Sequence, residues 1–217
     1  MKKLNIENPF FEFMGRVGDM MLLNIVFLIG CIPLFTIGAS YTAMYAVLLK
    51  QREKKDISVI RAFFYYFKIN LKEKIRVGAL FLITESILVF DILFLGKVGG
   101  NGFWSVIGVF IGSLALLWLM ITSYIFILMA TENLSIKNLV KKSFYLAIRN
   151  FPKTVCVIIL NCIPIICIIL GSYFVGVVTP VYLVGGFSLT AYIVLLFLNP
   201  VCGLFEHTAF YAFRMRK

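Results

Sequence analysis

Thirty consecutive residues, 20–49, carry no charge, with Asp19 before them and Lys50 after. At 1.5 Å of rise per residue a helix of that length reaches about 45 Å, against a hydrocarbon core of about 30 Å. The run is too long for one straight perpendicular crossing, and it carries a breaker in its middle. Pro33 removes a backbone donor, and Gly30 and Gly38 flank it. In lipid a freed carbonyl must find another partner, so the stretch around Cys31 to Ser40 is expected to be buried against other helices. Two readings follow. One is a single first span broken near Pro33. The other is a re-entrant segment that turns at Pro33 and returns, with limbs of only about 14 to 16 residues, short for a bilayer. The single broken span is the expectation adopted.

Of the 217 residues, 61% are hydrophobic and 14% charged, and the mean hydropathy is +0.98. Soluble domains lie nearer about half apolar and a quarter charged. The excess apolar surface must face lipid, so the expected fold is an all-α polytopic transmembrane bundle, one membrane domain over 1–217. The net charge of +11 is divided by the membrane, which makes the anionic inner leaflet the expected partner and not nucleic acid. Cys31, Cys156, Cys162, Cys167 and Cys202 lie in apolar runs without a CxxC pair, as buried thiols acting as small hydrophobes do. The first apolar run is far longer than a signal-peptide core, so no cleavable leader is expected.

Ahead of the long run, Asn8-Pro9 is a good helix start. Phe10, Phe13, Val17 and Met20 share one face, with Glu12, Arg16 and Asp19 on another, which predicts an interfacial helix over 8–21. Residues 50–77 hold nine Lys/Arg and three acids. Within them Ile60, Phe64, Phe67, Leu71 and Ile75 form an apolar stripe beside Arg61, Tyr65, Lys68, Lys72 and Arg76. This predicts a helix on the inner surface, aromatics down and cations toward lipid phosphates.

Further spans are expected at 77–95, 103–130, 154–175 and 181–205. Gly108 and Gly112 in the third have a spacing that permits close helix approach. Residues 131–153 hold five Lys/Arg and one acid, forming a second basic surface helix with Lys141 and Arg149. Gly171, Gly176, Pro180, Gly185 and Gly186 mark the turn before the last span. Phe64, Phe67 and Asn70 correspond to Phe144, Ala147 and Asn150 at an offset of 80, an internal repeat of basic helix plus hairpin.

Cations stay on the cytoplasmic side. That places 50–77, 131–153 and the tail inside and gives about five spans, with the C-terminus cytoplasmic and the N-terminus outside, in a plasma membrane.

Gly18-Asp19, Asn24, Pro33, Thr36-Ile37-Gly38-Ala39 and Thr42-Ala43 together resemble the YesL family of bacterial integral membrane proteins, a domain of unknown function. Phe27 stands where that family often has tryptophan. The resemblance implies a plasma-membrane location and an association with carbohydrate uptake or its regulation. It implies no activity and no catalytic residues.

Glu85 and Asp91 are the acids inside the expected spans. An ionisable group at mid-membrane usually faces the bundle or a cavity, so Glu85 is a candidate for binding a proton, a cation or a polar solute. The plainer alternative is a protonated side chain hydrogen-bonded between helices. Asp91 is expected to pair with Lys97 or meet water, and Asn161 to bond between helices. Thr36 and Ser40 adjoin the Pro33 break, where freed backbone groups can hold a substrate in interrupted transporter helices. His207 is the only histidine, and no nucleotide-binding, hydrolase or metalloprotease motif is present. No cofactor, metal or catalysis is expected. Two functions remain open. One is an accessory or regulatory subunit of a sugar-import complex, docking a partner or anionic lipid through Arg61, Lys68, Lys72, Arg76, Lys141 and Arg149. The other is a small oligomeric transporter or channel using the Pro33 break and Glu85.

Overall fold

A computed structural model describes residues 9–53, 57–98, 102–132, 134–169 and 172–198, and every regular element among them is helical. The first is α1 (Pro9–Cys31), followed by a 3-10 turn (Leu34–Thr36) and α2 (Ile37–Glu53). Then come α3 (Val59–Lys68), α4 (Leu71–Val98), α5 (Gly102–Thr131), α6 (Ile136–Arg149), α7 (Phe151–Ile169) and α8 (Ser172–Val181). A π-helical turn (Tyr182–Gly186) carries the chain from α8 into a last helical stretch, 187–198. Four helices are long and apolar enough to cross a membrane, and a fifth if α6 and α7, bent by 106° at their junction, act together.

The expected interfacial helix over 8–21 is not separate, because α1 runs unbroken from Pro9 to Cys31. Arg16 and Asp19 fall inside α1 without ending it, since nothing in their backbones opposes helical geometry. Asn8 lies outside the described residues, as does the side chain of Glu12.

The expected single broken span is also replaced. Gln51 Nε2, near the end of α2, lies 3.5 Å from Asp19 Oδ2 on α1. Phe27 and Tyr41 meet edge to face at 4.9 Å, and a Cβ on Gly30 would sit 2.7 Å from Ser40 Oγ. All three pairs are centred near residue 35, so α1 and α2 are the antiparallel limbs of a hairpin folded at Pro33. The limb lengths set aside for a re-entrant segment counted only uncharged residues. With its charged beginning included, α1 has 23 residues, about 35 Å.

The second limb is the centre of the bundle. Residues 42–48 of α2 are all buried, between α1, α3, α4 and α5. Gly38 on α2 and Gly78 on α4 let two backbones touch, for a Cβ on Gly38 would lie 2.7 Å from Gly78 Cα. An aromatic series continues the core: Tyr41 stacks on Phe126 at 5.6 Å and Phe81 on Trp118 at 4.7 Å. Beyond this core, no described residue between Leu82 and Leu119 is buried. The outer halves of α4 and α5 therefore form an apolar two-helix arm, and Gly112 on it faces open space.

Three further expectations change. On α3 the bundle-facing side chains are Val59 and Phe63, while Ile60 and Phe64 are exposed. A helix at the edge of a bundle has one apolar side toward protein and another toward lipid, and sequence spacing does not separate them. The turn expected across 171–186 is helical from Ser172 onward, with Pro180 inside α8. Proline removes one intrahelical bond, and the wider π turn just after it accommodates the register change. Cys156 is exposed rather than buried, and Cys31 and Cys162 are partly buried.

Candidate functional site

Among the described residues, Asn24, Thr36, Ser40 and Thr42 are buried polar residues of the α1–α2 hairpin. At its tip, the Thr36 hydroxyl donates to the Gly30 carbonyl at 2.7 Å and lies 2.6 Å from the Pro33 carbonyl. The Gly30 carbonyl is an acceptor that the break leaves without its intrahelical donor, while the Pro33 carbonyl also accepts from the Thr36 amide at 2.8 Å. One turn on, Thr42 Oγ1 donates to the Gly38 carbonyl at 2.7 Å. Ser40 is fully buried, and its hydroxyl makes no hydrogen bond of ordinary geometry among the described residues, with the Cys31 thiol beside it. The tip is apolar and uncovered: Ile32 is 77% exposed and Leu34 72%.

Halfway down α1, Asn24 is fully buried and latches the hairpin to the last span. Its Nδ2 donates to the carbonyls of Tyr182 at 3.0 Å and Leu183 at 2.8 Å, and its Oδ1 accepts from the Ser188 amide at 3.1 Å. Ser188 Oγ donates in turn to the Met20 carbonyl at 2.8 Å. A π-helical turn leaves backbone groups off the regular ladder, and one side-chain amide supplies both donors and the acceptor that this one needs. Phe27 completes the junction, 5.6 Å from Phe187, which meets Tyr182 at 5.2 Å.

The candidate acids are less engaged. Glu85 is half-buried near the middle of α4, within electrostatic reach of Tyr41 on α2 and Cys162 on α7. Asp91 is partly exposed and forms no ion pair with Lys97 among the described residues. Asn161 is exposed on α7 and makes no interhelical hydrogen bond among the described residues. His207 lies outside them, and no cluster of metal-ligating side chains occurs within them.

The cationic candidates sit at two elbows. Arg61, Lys68, Lys72 and Arg76 around the α3–α4 corner are all exposed, as are Lys141 and Arg149 on α6. None of the six forms an ion pair among the described residues. Lys74, which sequence reasoning passed over, is buried at the same corner and donates to the Tyr66 carbonyl at 2.5 Å. That carbonyl is in the last turn of α3, where a cation meets both an orphan acceptor and the negative end of the helix dipole. Its charged neighbours Lys72, Glu73 and Arg76 hid this role in the sequence only in part. A lysine falling on the buried stripe with Val77 and Phe81 was the available signal. At the second elbow, Lys142 bonds Glu132 at 2.5 Å, and Tyr124 on α5 bonds Thr154 on α7 at 2.9 Å.

Residues 20–92 match the sequence profile of a family described as a protein of unknown function, DUF624. The match covers about a third of the chain, from the start of the uncharged run to the outer half of α4. It is consistent with the resemblance drawn from Asp19 to Ala43 and adds no activity. No curated protein and no solved structure matches the chain.

Proposed function

We propose that this chain is a non-catalytic membrane subunit that attaches to another membrane protein, in an accessory or regulatory role tied to carbohydrate uptake. One observation carries the reading. The polar side chains of the described interior are largely occupied in holding the fold, as with Asn24, Thr36, Thr42, Thr154 and Ser188. What remains uncovered is surface, above all the α4–α5 arm with Gly112 open on it. Small residues at that spacing allow a helix from a partner to approach closely. The link to carbohydrate uptake rests on the family resemblance alone.

In this reading the membrane is the bacterial plasma membrane, and both termini are cytoplasmic. A hairpin returns to the side it left, so Asp19 and Gln51 face the same compartment as the basic elbows. This agrees with Lys2, Lys3 and Arg16 staying inside, and it replaces the external N-terminus that a single crossing required. The experiment is photo-crosslinking in native membranes from probes at Val109 and Gly112, followed by identification of the adduct. A component of a sugar-import complex is the expected product. Adducts only with lipid would overturn the subunit reading, and adducts only with a second copy would replace it with an oligomer.

A second reading draws on Glu85 lying within electrostatic reach of Tyr41 and Cys162, with the Ser40 hydroxyl also buried in the bundle. A small oligomeric transporter would use that cluster. Solute flux in reconstituted vesicles that Glu85→Gln abolishes would favour it, and absence of flux in the unmodified protein would dismiss it.

A further inference from the structure

The two elbows share a hydrogen bond and a burial pattern, although the chain turns at Asn70 with φ 51° and at Asn150 with φ −115°. At the first, the Asn70 carbonyl accepts from the Lys74 amide at 3.1 Å; at the second, the Asn150 carbonyl accepts from the Thr154 amide at 3.0 Å. Both pairs are separated by the same offset of 80, and burial repeats with it: Val59 and Leu139, Phe63 and Ser143, Val77 and Val157 are all buried. What each copy exposes repeats as well. Arg61, Phe64 and Tyr65 on α3 correspond to Lys141, Phe144 and Tyr145 on α6, and all six side chains are exposed. A cation followed three and four residues later by Phe-Tyr places all three on one helical face.

The bend of 106° between α6 and α7 sets the orientation of that face. With α7 taken as crossing the membrane, α6 lies nearly flat at its surface, and the matching exposed face of α3 is assigned the same level. Tyrosine and phenylalanine at that depth sit at the boundary between headgroup and acyl chain, and an unpaired cation beside them meets phosphate.

We propose that Arg61-Phe64-Tyr65 and Lys141-Phe144-Tyr145 are two equivalent binding ledges for the headgroups of anionic phospholipids, one in each repeat. The cation holds the phosphate, and the two rings pack on the glycerol and upper acyl region. Neither ledge depends on the accessory-subunit reading, since neither involves the α4–α5 arm.

The test uses the full-length protein reconstituted in phosphatidylcholine vesicles with trace spin-labelled phosphatidylglycerol or phosphatidylcholine. The fraction of motionally restricted label is then read by electron paramagnetic resonance. The unmodified protein is expected to prefer the anionic lipid, with a contribution of up to about fivefold per cation. Arg61→Gln or Lys141→Gln alone removes part of the preference, and the double variant lowers it further, to what Lys68, Lys72, Arg76 and Arg149 sustain. Arg61→Lys with Lys141→Arg retains it, which separates loss of charge from loss of fold. No preference in the unmodified protein, or an undiminished one in the double glutamine variant, overturns the proposal. So does sodium phosphate abolishing the preference where sodium chloride of equal ionic strength does not, because the ligand would then be free phosphate.

Discussion

Asn24 holds three hydrogen bonds across two helices that are more than 150 positions apart in the chain. Asn24→Leu leaves the Tyr182 and Leu183 carbonyls and the Ser188 amide without partners in an apolar interior. The expected cost is about 1–3 kcal/mol, read as a lower midpoint in thermal unfolding in detergent. Asn24→Asp restores the acceptor while facing two carbonyls with no donor, so it is expected to recover little. Glycine substitutions separate contact from composition. Gly38→Ala drives a methyl into the Gly78 backbone, which has no rotamer to escape through, and about 1–3 kcal/mol of overpacking is expected. Gly112→Ala meets nothing within 4 Å and is expected to change stability by less than about 0.5 kcal/mol. Equal effects of the two on the unfolding midpoint would contradict the packing described. At this scale the sequence was half legible. Asn24, Thr36, Gly38 and Thr42 stood out as a motif, yet a motif names residues without naming what they touch. Two of the three partners of Asn24, the Tyr182 and Leu183 carbonyls, lie in a stretch read as a turn, and Gly78 carried no sequence signal at all.

A proline in an apolar run signals a break but not its angle, and the angle decides whether two limbs form one span or a hairpin. Here the limbs pack on each other through Phe27, Tyr41, Gly30 and Ser40, contacts too far apart in sequence for periodicity to show. Thr36 closes the tip by bonding both Gly30 and Pro33. Thr36→Val keeps shape and removes the donor, so the limbs are expected to loosen at the tip. Faster hydrogen exchange over 30–38, with the feet unaffected, is the outcome that checks it. Uniform exchange across the variant would show that Thr36 does not hold the turn. The surface helices were legible as elements because their amphipathic period is strong. Which apolar residues faced protein was not, since Val59 and Phe63 differ from Ile60 and Phe64 only in what lies beside them. Pro180 and its glycines misled for the opposite reason: a breaker weak enough for a π turn to absorb looks the same in sequence as one that ends a helix.

For the molecule as a whole, composition alone required a helical membrane bundle, and four to five apolar helices are present. On the proposed reading, the hairpin and the charge distribution together keep the N-terminus inside. A cysteine placed at Asn5 is therefore expected to react with an impermeant maleimide only after cells are permeabilised; labelling of intact cells would return the N-terminus to the outside. The account depends most on the fold of its first fifty residues, and one distance tests that directly. With Cys31, Cys156, Cys162, Cys167 and Cys202 replaced, spin labels at positions 19 and 51 report their separation in vesicles by double electron–electron resonance. Asp19 and Gln51 touch in the structure, so a distance below about 20 Å is expected once label linkers are allowed for. A continuous span would hold the same positions about 48 Å apart, and a distance near that value would contradict the hairpin and the topology built on it.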